Sequence, residues 1–476
     1  MGHPPIKRYF AAEQIRVAEE ATGRLLADGV LMRRAASGLA GAVAAELRSR
    51  HGAVYGRAVT LVIGSGDNGG DALFAGAVLR RRGVAVSAVL TAPDRAHAAG
   101  LAAFRSAGGR VVDGVPDTAE LVVDGVVGLR GTGPLREAAA AVFAQVRVPV
   151  VAVDVPSGVD ADTGVVHDPS VRAEITVTFG ARRIAHALAP AACGRVEVVD
   201  IGIDADGARV EMLSDRDVAE GWPLPGPAST KYTQGVVGVI AGSDRYPGAG
   251  ILCSAGAVAA TSGMVRYVGS AAATVVDHFP EVVVAPDLDG AGRVQAWVVG
   301  PGAGTDDAAL ELLRRVLATD VPVLVDADGL TVLAHHPELV VERHHPTLLT
   351  PHDGEFERLA GRSPGHDRLS AVRGLASALG ATVLLKGKVT LVADPGGEVL
   401  VNDAGNSWAA TAGAGDVLSG IAGALLAAGL SPRVAGAAAA RVHALAADLA
   451  ADGAPIGASE LARAVRPAVR SLRAVR

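Results

Sequence analysis

Two α/β domains, each a largely parallel sheet covered on both faces by helices, are predicted for this chain by three observations. Val-rich runs of strand length alternate with Ala-rich helical stretches. The alternation stops at a proline cluster and then restarts, as it would at a linker. The 476 residues also amount to about three ordinary domain lengths, enough for separate cores. Apolar residues make up 50 % of the chain but aromatics only 3 %, so these cores are built from Ala and Val, and a charged fraction of 20 % is too low for a solvated tail.

The elements follow in order. A helical segment over 11–50 carries Ile15, Ala18, Leu25, Leu26, Leu31 and Met32 at mixed helical spacing and is expected to pack on the first sheet. Strands are predicted over 57–63, 85–90, 121–127 and 148–153, with helices over 70–82, 96–107 and 136–145 between them. The stretch 222–230 holds three prolines and reads as a linker, with the first domain placed at 1–215, the linker at 216–230 and the second domain at 231–476. Beyond it strands are predicted over 236–240, 296–299, 321–325, 347–349 and 382–385, and three Ala-rich helices fill 416–476. The two halves share a class but no motif.

Charge and cysteine content narrow the function. A net charge of −6 supplies no broad positive field, which argues against nucleic-acid binding and leaves anionic ligands to be held by local groups. Cys193 and Cys253 form no CxxC spacing, so neither a disulfide framework nor a thiolate zinc site is expected. No leader is read at the N-terminus, and Gly and charges interrupt the apolar runs, so a reducing, cytoplasmic setting without membrane insertion is expected. Lys7, Lys231, Lys386 and Lys388 are the only lysines among 44 basic residues, which marks each for a specific task.

The first candidate site is a glycine-rich loop between a strand and a helix, Gly64-Ser-Gly-Asp67-Asn68-Gly69-Gly70-Asp71. Glycines let backbone N–H groups and a helix N-terminus approach a phosphate, although a tight turn without ligand has the same local sequence. The GK[ST] ending of a phosphate-binding P-loop is missing. Two further strand ends carry polar residues, Asp124 before Gly128 to Pro134, and Asp154-Val-Pro-Ser157-Gly. In an open α/β sheet such ends converge on one crevice.

These three stretches resemble the NAD(P)H-hydrate epimerase family over roughly residues 10–205, and the resemblance implies a Rossmann-like domain. It implies a potassium ion held by Asn68, Asp124 and Ser157. It further places the hydrated cofactor on Asp67, Asn68, Gly69, Gly70 and Asp71, on Gly128, Leu129, Arg130, Gly131, Thr132, Gly133 and Pro134, and on Asp154, with Asp154 as acid/base. Oxygen-only ligands suit a hard alkali cation. The chain departs from the family pattern at Asp67, where Asn is usual, at Ala72, where Gly is usual, and in the altered 124–134 loop.

The second candidate site is Thr411-Ala-Gly413-Ala-Gly415-Asp416 at the start of a long apolar helix. Free N–H groups of such a small-residue loop, reinforced by the helix dipole, can hold a phosphoryl group. Asp416 alone could be a plain N-cap, but an N-cap does not require the glycines before it. The string resembles the ribokinase-like superfamily. Lys231-Tyr-Thr-Gln-Gly, Tyr246-Pro-Gly-Ala249-Gly, Gly300-Pro-Gly302-Ala-Gly, Val325-Asp-Ala-Asp328, Pro351-His352-Asp-Gly-Glu355 and Leu385-Lys386-Gly387-Lys388-Val389-Thr390 resemble the ADP-dependent NAD(P)H-hydrate dehydratases within it. That resemblance implies nucleotide contacts from Lys386, Gly387, Lys388, Val389, Thr390 and Gly415, and hydrated-cofactor contacts from Ala249, Gly302, His352 and Asp416. Asp353 stands where the family usually has proline.

The two resemblances together imply a bifunctional enzyme that equilibrates the C6 epimers of hydrated NAD(P)H and dehydrates the S form at the expense of ADP. They imply Mg2+ for the nucleotide phosphates and K+ for the epimerase, with a homo-oligomer as the expected assembly. The alternative is a ribokinase-like kinase of a vitamin or sugar hydroxyl with a non-catalytic N-terminal binding domain. His335, His336, His344 and His345 lack carboxylates or cysteines at ligand spacing and are expected at the surface.

Overall fold

The computed structural model describes residues 6–128, 131–261 and 263–474. It divides into two compact units, Arg8–Val210 and Glu211–Arg476. In the first unit seven strands form one sheet: β1 (Ala58–Ile63), β2 (Ala85–Leu90), β3 (Arg110–Val111), β4 (Leu121–Gly125), β5 (Val150–Val153), β6 (Ile175–Phe179) and β7 (Arg195–Val199). Their spatial order is β3-β2-β1-β4-β5-β6-β7 and every pairing is parallel. The order reverses between β1 and β4, which opens a crevice at the carboxyl ends of those strands.

The sheet is two-sided for the reason the continuous apolar runs suggest. Val59, Leu61 and Ile63 of β1 pack into a cluster with Leu39, Val43 and Leu47 of helix Val30–His51 and Leu73 and Leu79 of helix Asp67–Arg81. Val62, between them in sequence, faces the opposite cluster with Leu135 and Ala139. Truncating a fully buried residue such as Leu61 to Ala would cost about 2–5 kcal/mol.

In the second unit the strands are β8 (Val236–Ile240), β9 (Met264–Val268), β10 (Val283–Ala285), β11 (Ala296–Val299), β12 (Val323–Val325), β13 (Thr347–Leu349), β14 (Thr382–Leu385), β15 (Val389–Ala393) and β16 (Val399–Asp403). The order β10-β9-β8-β11-β12-β13-β14 repeats the first unit's pattern in parallel, and β15 and β16 extend it antiparallel. Helices Pro247–Ala260 and Ala414–Ala427 cross at very short range, because a Cβ on Gly256 would lie 2.3 Å from the Val417 carbonyl oxygen and one on Gly420 would lie 2.0 Å from that of Cys253.

Several expectations shift. The opening helical segment is three helices, Ala12–Ala21, Arg24–Ala27 and Val30–His51, broken where Gly23 and Gly29 take left-handed φ of 54° and 65°. The helix expected from 70 begins at Asp67, and the strand expected to 127 ends at Gly125. Part of the stretch placed as linker is helix Asp215–Gly221, started by a reciprocal Ser214–Asp217 capping box. Trp222 is buried in the second unit's core, with its indole N–H donating to the Ala260 carbonyl at 3.0 Å. Helix Pro432–Ala451 is long and apolar enough to cross a membrane by length and composition, contrary to the expectation that every apolar run is interrupted, but 67 % of its apolar stretch is buried in the fold. Cys193 and Cys253 are buried and form no disulfide with each other.

Candidate active sites

In the first unit the ends of β1, β4 and β5 supply the predicted residues. Asn68, in the first turn of helix Asp67–Arg81, donates from Nδ2 to the carbonyls of Val127 (3.1 Å) and Val153 (2.7 Å). Asp124 Oδ1 accepts from the Ser157 hydroxyl (2.7 Å) and the Val126 N–H (3.2 Å), while Oδ2 accepts from the Ser157 N–H (2.8 Å). Ser157 Oγ in turn accepts from the Val127 N–H (3.0 Å), so Asn68, Asp124 and Ser157 are joined through one residue. Burial pushes the Asp124 carboxyl up to about 6 against these bonds.

Asp154 ends β5 in a left-handed conformation, φ 66°, which a residue other than glycine holds only where its surroundings impose it. Its carboxylate accepts from the Thr178 hydroxyl (2.8 Å) and pairs with Arg183 (2.9 Å), and both charged groups are almost wholly buried. Its carbonyl accepts from His186 Nε2 (2.8 Å); that ring's Nδ1 accepts from the Arg183 N–H, which fixes the tautomer. Burial pushes His186 down to about 4, so the ring is neutral. Asp71 is buried with Oδ1 unpartnered, and burial together with the Asp154, Asp67 and Glu19 carboxylates raises it well above the usual range. Glu19, from helix Ala12–Ala21, is raised by burial, with Arg183 opposing. Gly69 packs on the Gly64 carbonyl, Gly70 on His97 and Gly128 on the Asn68 carboxamide. Gly131 donates to the Gly128 carbonyl, Thr132, Gly133 and Pro134 continue irregularly, and Leu129 and Arg130 lie outside the described residues.

In the second unit the ends of β8, β11, β12, β13 and β14 converge. Asp326, after β12, accepts from Lys386 Nζ at 2.6 Å and from the Ser419 hydroxyl at 2.7 Å. The next residue, Ala327, has φ 51°, so two of the three described non-glycine residues with left-handed φ stand at these two sites. Asp328 Oδ2 accepts from the Gly304 N–H (2.9 Å). Gly302 and Ala249 touch, since a Cβ on Gly302 would lie 2.8 Å from that of Ala249. His352 caps helix Asp353–Ala360: Nδ1 accepts from the Gly354 and Glu355 N–H groups, and Glu355 accepts from the His352 N–H (2.9 Å).

Helix Ala414–Ala427 starts from Gly413, φ 84°, and directs its first-turn N–H groups at this centre. Lys386 Nζ lies against Gly415, 3.4 Å from where a Cβ would be. Burial pushes Asp416 up to about 7; Asp326, Asp328 and Glu355 add to the shift and Lys386 opposes it. Burial works to lower the Lys386 ammonium, but Asp326, Glu355 and Asp416 hold it above its ordinary value. Beside the helix start lies a cavity of about 280 Å³, with Lys386, Gly387, Lys388, Thr390, Gly415 and His443 in its lining. Thr390 donates to the Gly387 carbonyl (3.1 Å), and Val389 begins β15. His443, pushed down to about 4 chiefly by burial, bonds through Nε2 to the Ala414 carbonyl (2.9 Å).

Sequence reasoning missed Glu19, Thr178, Arg183 and His186 in the first unit and Ser419 and His443 in the second. Thr178 carried one usable signal, a polar residue at the end of the strand beside β5. The four discounted histidines join no metal cluster among the described residues.

Comparison with known proteins finds a match for each half of the chain. The family described as NAD(P)H-hydrate dehydratase matches residues 237–466, and the family described as YjeF-related protein N-terminus matches residues 28–185. A bifunctional NAD(P)H-hydrate repair enzyme of Mycobacterium leprae is 57 % identical over 98 % of this chain and 100 % of its own. Another of that description, from Mycobacterium tuberculosis, is 59 % identical over 89 % and 90 %. An ADP/ATP-dependent NAD(P)H-hydrate dehydratase from Bacillus subtilis, co-crystallized with ATP/Mg2+, superposes with a TM-score of 0.50 at 26 % identity, covering 55 % of this chain and 98 % of that one. With both halves matched and relatives of this identity spanning nearly its whole length, the chain belongs to the bifunctional NAD(P)H-hydrate repair enzyme family.

Proposed function

We propose that the first unit interconverts the R and S epimers of hydrated NAD(P)H and that the second dehydrates the S epimer to NAD(P)H, converting ADP to AMP and phosphate. The observation that carries the second step is the Asp416 carboxyl, held near 7 beside Lys386 and a helix N-terminus. A base with that affinity for a proton suits catalysis near neutrality. Asp416 takes the proton of the C6 hydroxyl as its oxygen attacks the β-phosphoryl of ADP, and AMP leaves. The first-turn N–H groups and Lys386 stabilise the charge that develops on the transferred group. The ring nitrogen then expels phosphate from C6, and loss of a proton from C5 restores the dihydronicotinamide.

Mg2+ needs only one or two protein carboxylates besides phosphates and water. Asp328 and Glu355, the carboxylates that with Asp326 act on Asp416, are the ones that would serve it. Bound there it would neutralise phosphate charge.

In the first unit Asp154, oriented by Thr178 and paired with Arg183, shares a pocket with Asp71, whose hold on a proton is raised by burial and by the neighbouring carboxylates. They would carry the proton exchanges that accompany loss and return of the C6 hydroxyl. K+ suits the donor set: the Asn68 carboxamide oxygen, the Asp124 carboxylate and Ser157 Oγ are hard oxygen donors, and the Asp124 charge is buried. Its charge would stabilise the ionised Asp124.

The test is to incubate the protein with both epimers of hydrated NADH, ADP, Mg2+ and K+, following absorbance in the dihydronicotinamide band. An ADP-dependent rise that consumes both epimers is expected, and omitting K+ should stall it once the S form is spent. A stable phosphorylated vitamin or sugar with no turnover of hydrated NADH would replace this reading with the kinase.

A further inference from the structure

The sequence singled out Asp353 as a departure, and the structure gives it a partner. Arg368, the first residue of helix Arg368–Leu379, donates from Nη1 to both carboxylate oxygens of Asp353 (2.7 and 2.8 Å) and from Nη2 to the Lys386 carbonyl (2.8 Å). Gly387 makes room, since a Cβ there would lie 3.0 Å from Nη2. The Lys386 N–H donates to the Pro351 carbonyl (2.8 Å), so both polar groups of the Lys386 backbone are tied down. Its Nζ is held by Asp326.

We propose that Arg368 is a positioning residue of the dehydratase site, which with Asp353 locks the helix end bearing His352 and Glu355 to the loop bearing Lys386. The inference rests on the dehydratase assignment above. Asp353 is 59 % exposed at its side chain and Arg368 27 %, so this ion pair contributes little to stability by itself. Its worth is geometric. The planar guanidinium reaches a carboxylate and a carbonyl at once, which a lysine ammonium does not reproduce. Without it the Lys386 carbonyl loses its donor, leaving only the N–H and Asp326 contacts to fix the residue, and Nζ shifts from the position beside Gly415 where charge is transferred.

The test compares R368A, R368K, D353A and the double variant D353A/R368A in the full chain, measuring kcat and KM for ADP and for hydrated NADH, with C6 epimerisation as the internal control. We expect R368A to lower dehydration kcat about 10- to 100-fold, the range of a positional error at a catalytic group, with epimerisation and Tm nearly unchanged. R368K should recover only a small part. D353A should cost a few-fold, because the bond to the Lys386 carbonyl remains, and the double variant should be no worse than R368A. Wild-type kcat and KM in R368A, or a loss matched by a fall in folded fraction, would overturn the proposal. Absence of ADP-dependent dehydration in the wild-type protein would instead overturn the assignment beneath it.

Discussion

The two units carry sheets of the same strand order and place their sites at the same topological position, yet the charge around those sites differs. In the first unit Glu19, Asp67, Asp71 and Asp154 crowd together, with the guanidinium of Arg183 paired to Asp154, and two of them, Asp67 and Asp71, sit in the opening turns of the helix that faces the crevice. In the second unit Asp326, Asp328, Glu355 and Asp416 surround Lys386, but the helix that enters the site offers Gly413-Ala-Gly415 before its first carboxylate. Carboxylates at a helix start occupy the electrostatic favour that an incoming phosphate needs, and small residues leave it open. On the proposed assignments, one scaffold therefore supports proton exchange at one site and phosphoryl transfer at the other.

The sharpest way to break the comparison is to remove the proton acceptor on each side. D416N should lower dehydration by about 10³-fold or more, within the range for a general base, while ADP binds within a few-fold of wild type; an equal loss of rate and ADP affinity would make Asp416 a binding group. D154N should lower epimerisation about 10²- to 10³-fold on the same grounds and leave dehydration intact. R183A should follow with a loss of about 10-fold or more in epimerisation and about 3 kcal/mol in stability, because it strands a buried carboxylate.

The Asp416 contrast is also visible in pH. Its carboxyl stands at about 7, so the free enzyme holds the proton below that pH and the base form is lost. Dehydration kcat/KM should fall about tenfold per unit below pH 7 and level off above it. A profile that stays flat between pH 5.5 and 8 would assign the proton transfer elsewhere.

What the sequence disclosed and what it hid divide along a physical line. Groups that stand in a strand-end loop beside glycines, such as Asn68, Asp154 and Asp416, were legible because the loop composition itself announces close approach of a ligand. Arg183, Ser419, Arg368 and His443 were not, because each comes from an element remote in sequence and acts by reaching across to a group already in place. Asp353 shows the limit most clearly. As a lost proline it predicts only a looser turn, whereas its value as a carboxylate depends on where Arg368 lies. The strands missed at 110–111, 175–179 and 195–199, between 260 and 290 and after 385 include short or edge segments, where periodicity is weakest and pairing decides the conformation.

The smallest effect concerns the two buried imidazoles, one in each unit. His186 and His443 both stand at about 4, below the ordinary 6.5 of an unfolded histidine. Each is neutral in the fold, so its contribution is complete above pH 6.5 and is lost as pH falls toward 4, when the unfolded chain takes up a proton that the fold refuses. Asp124 and Asp416 work in the opposite sense, since their raised values make the fold bind protons before the unfolded chain does. Total stability against pH therefore mixes the two. The difference between wild type and H443Q isolates one imidazole, and the gap in unfolding free energy should shift by about 1–2 kcal/mol in favour of the variant between pH 7 and 5. A gap that stays constant over that range would mean that His443 is protonated in the fold, and its bond to the Ala414 carbonyl would then be that of a cation.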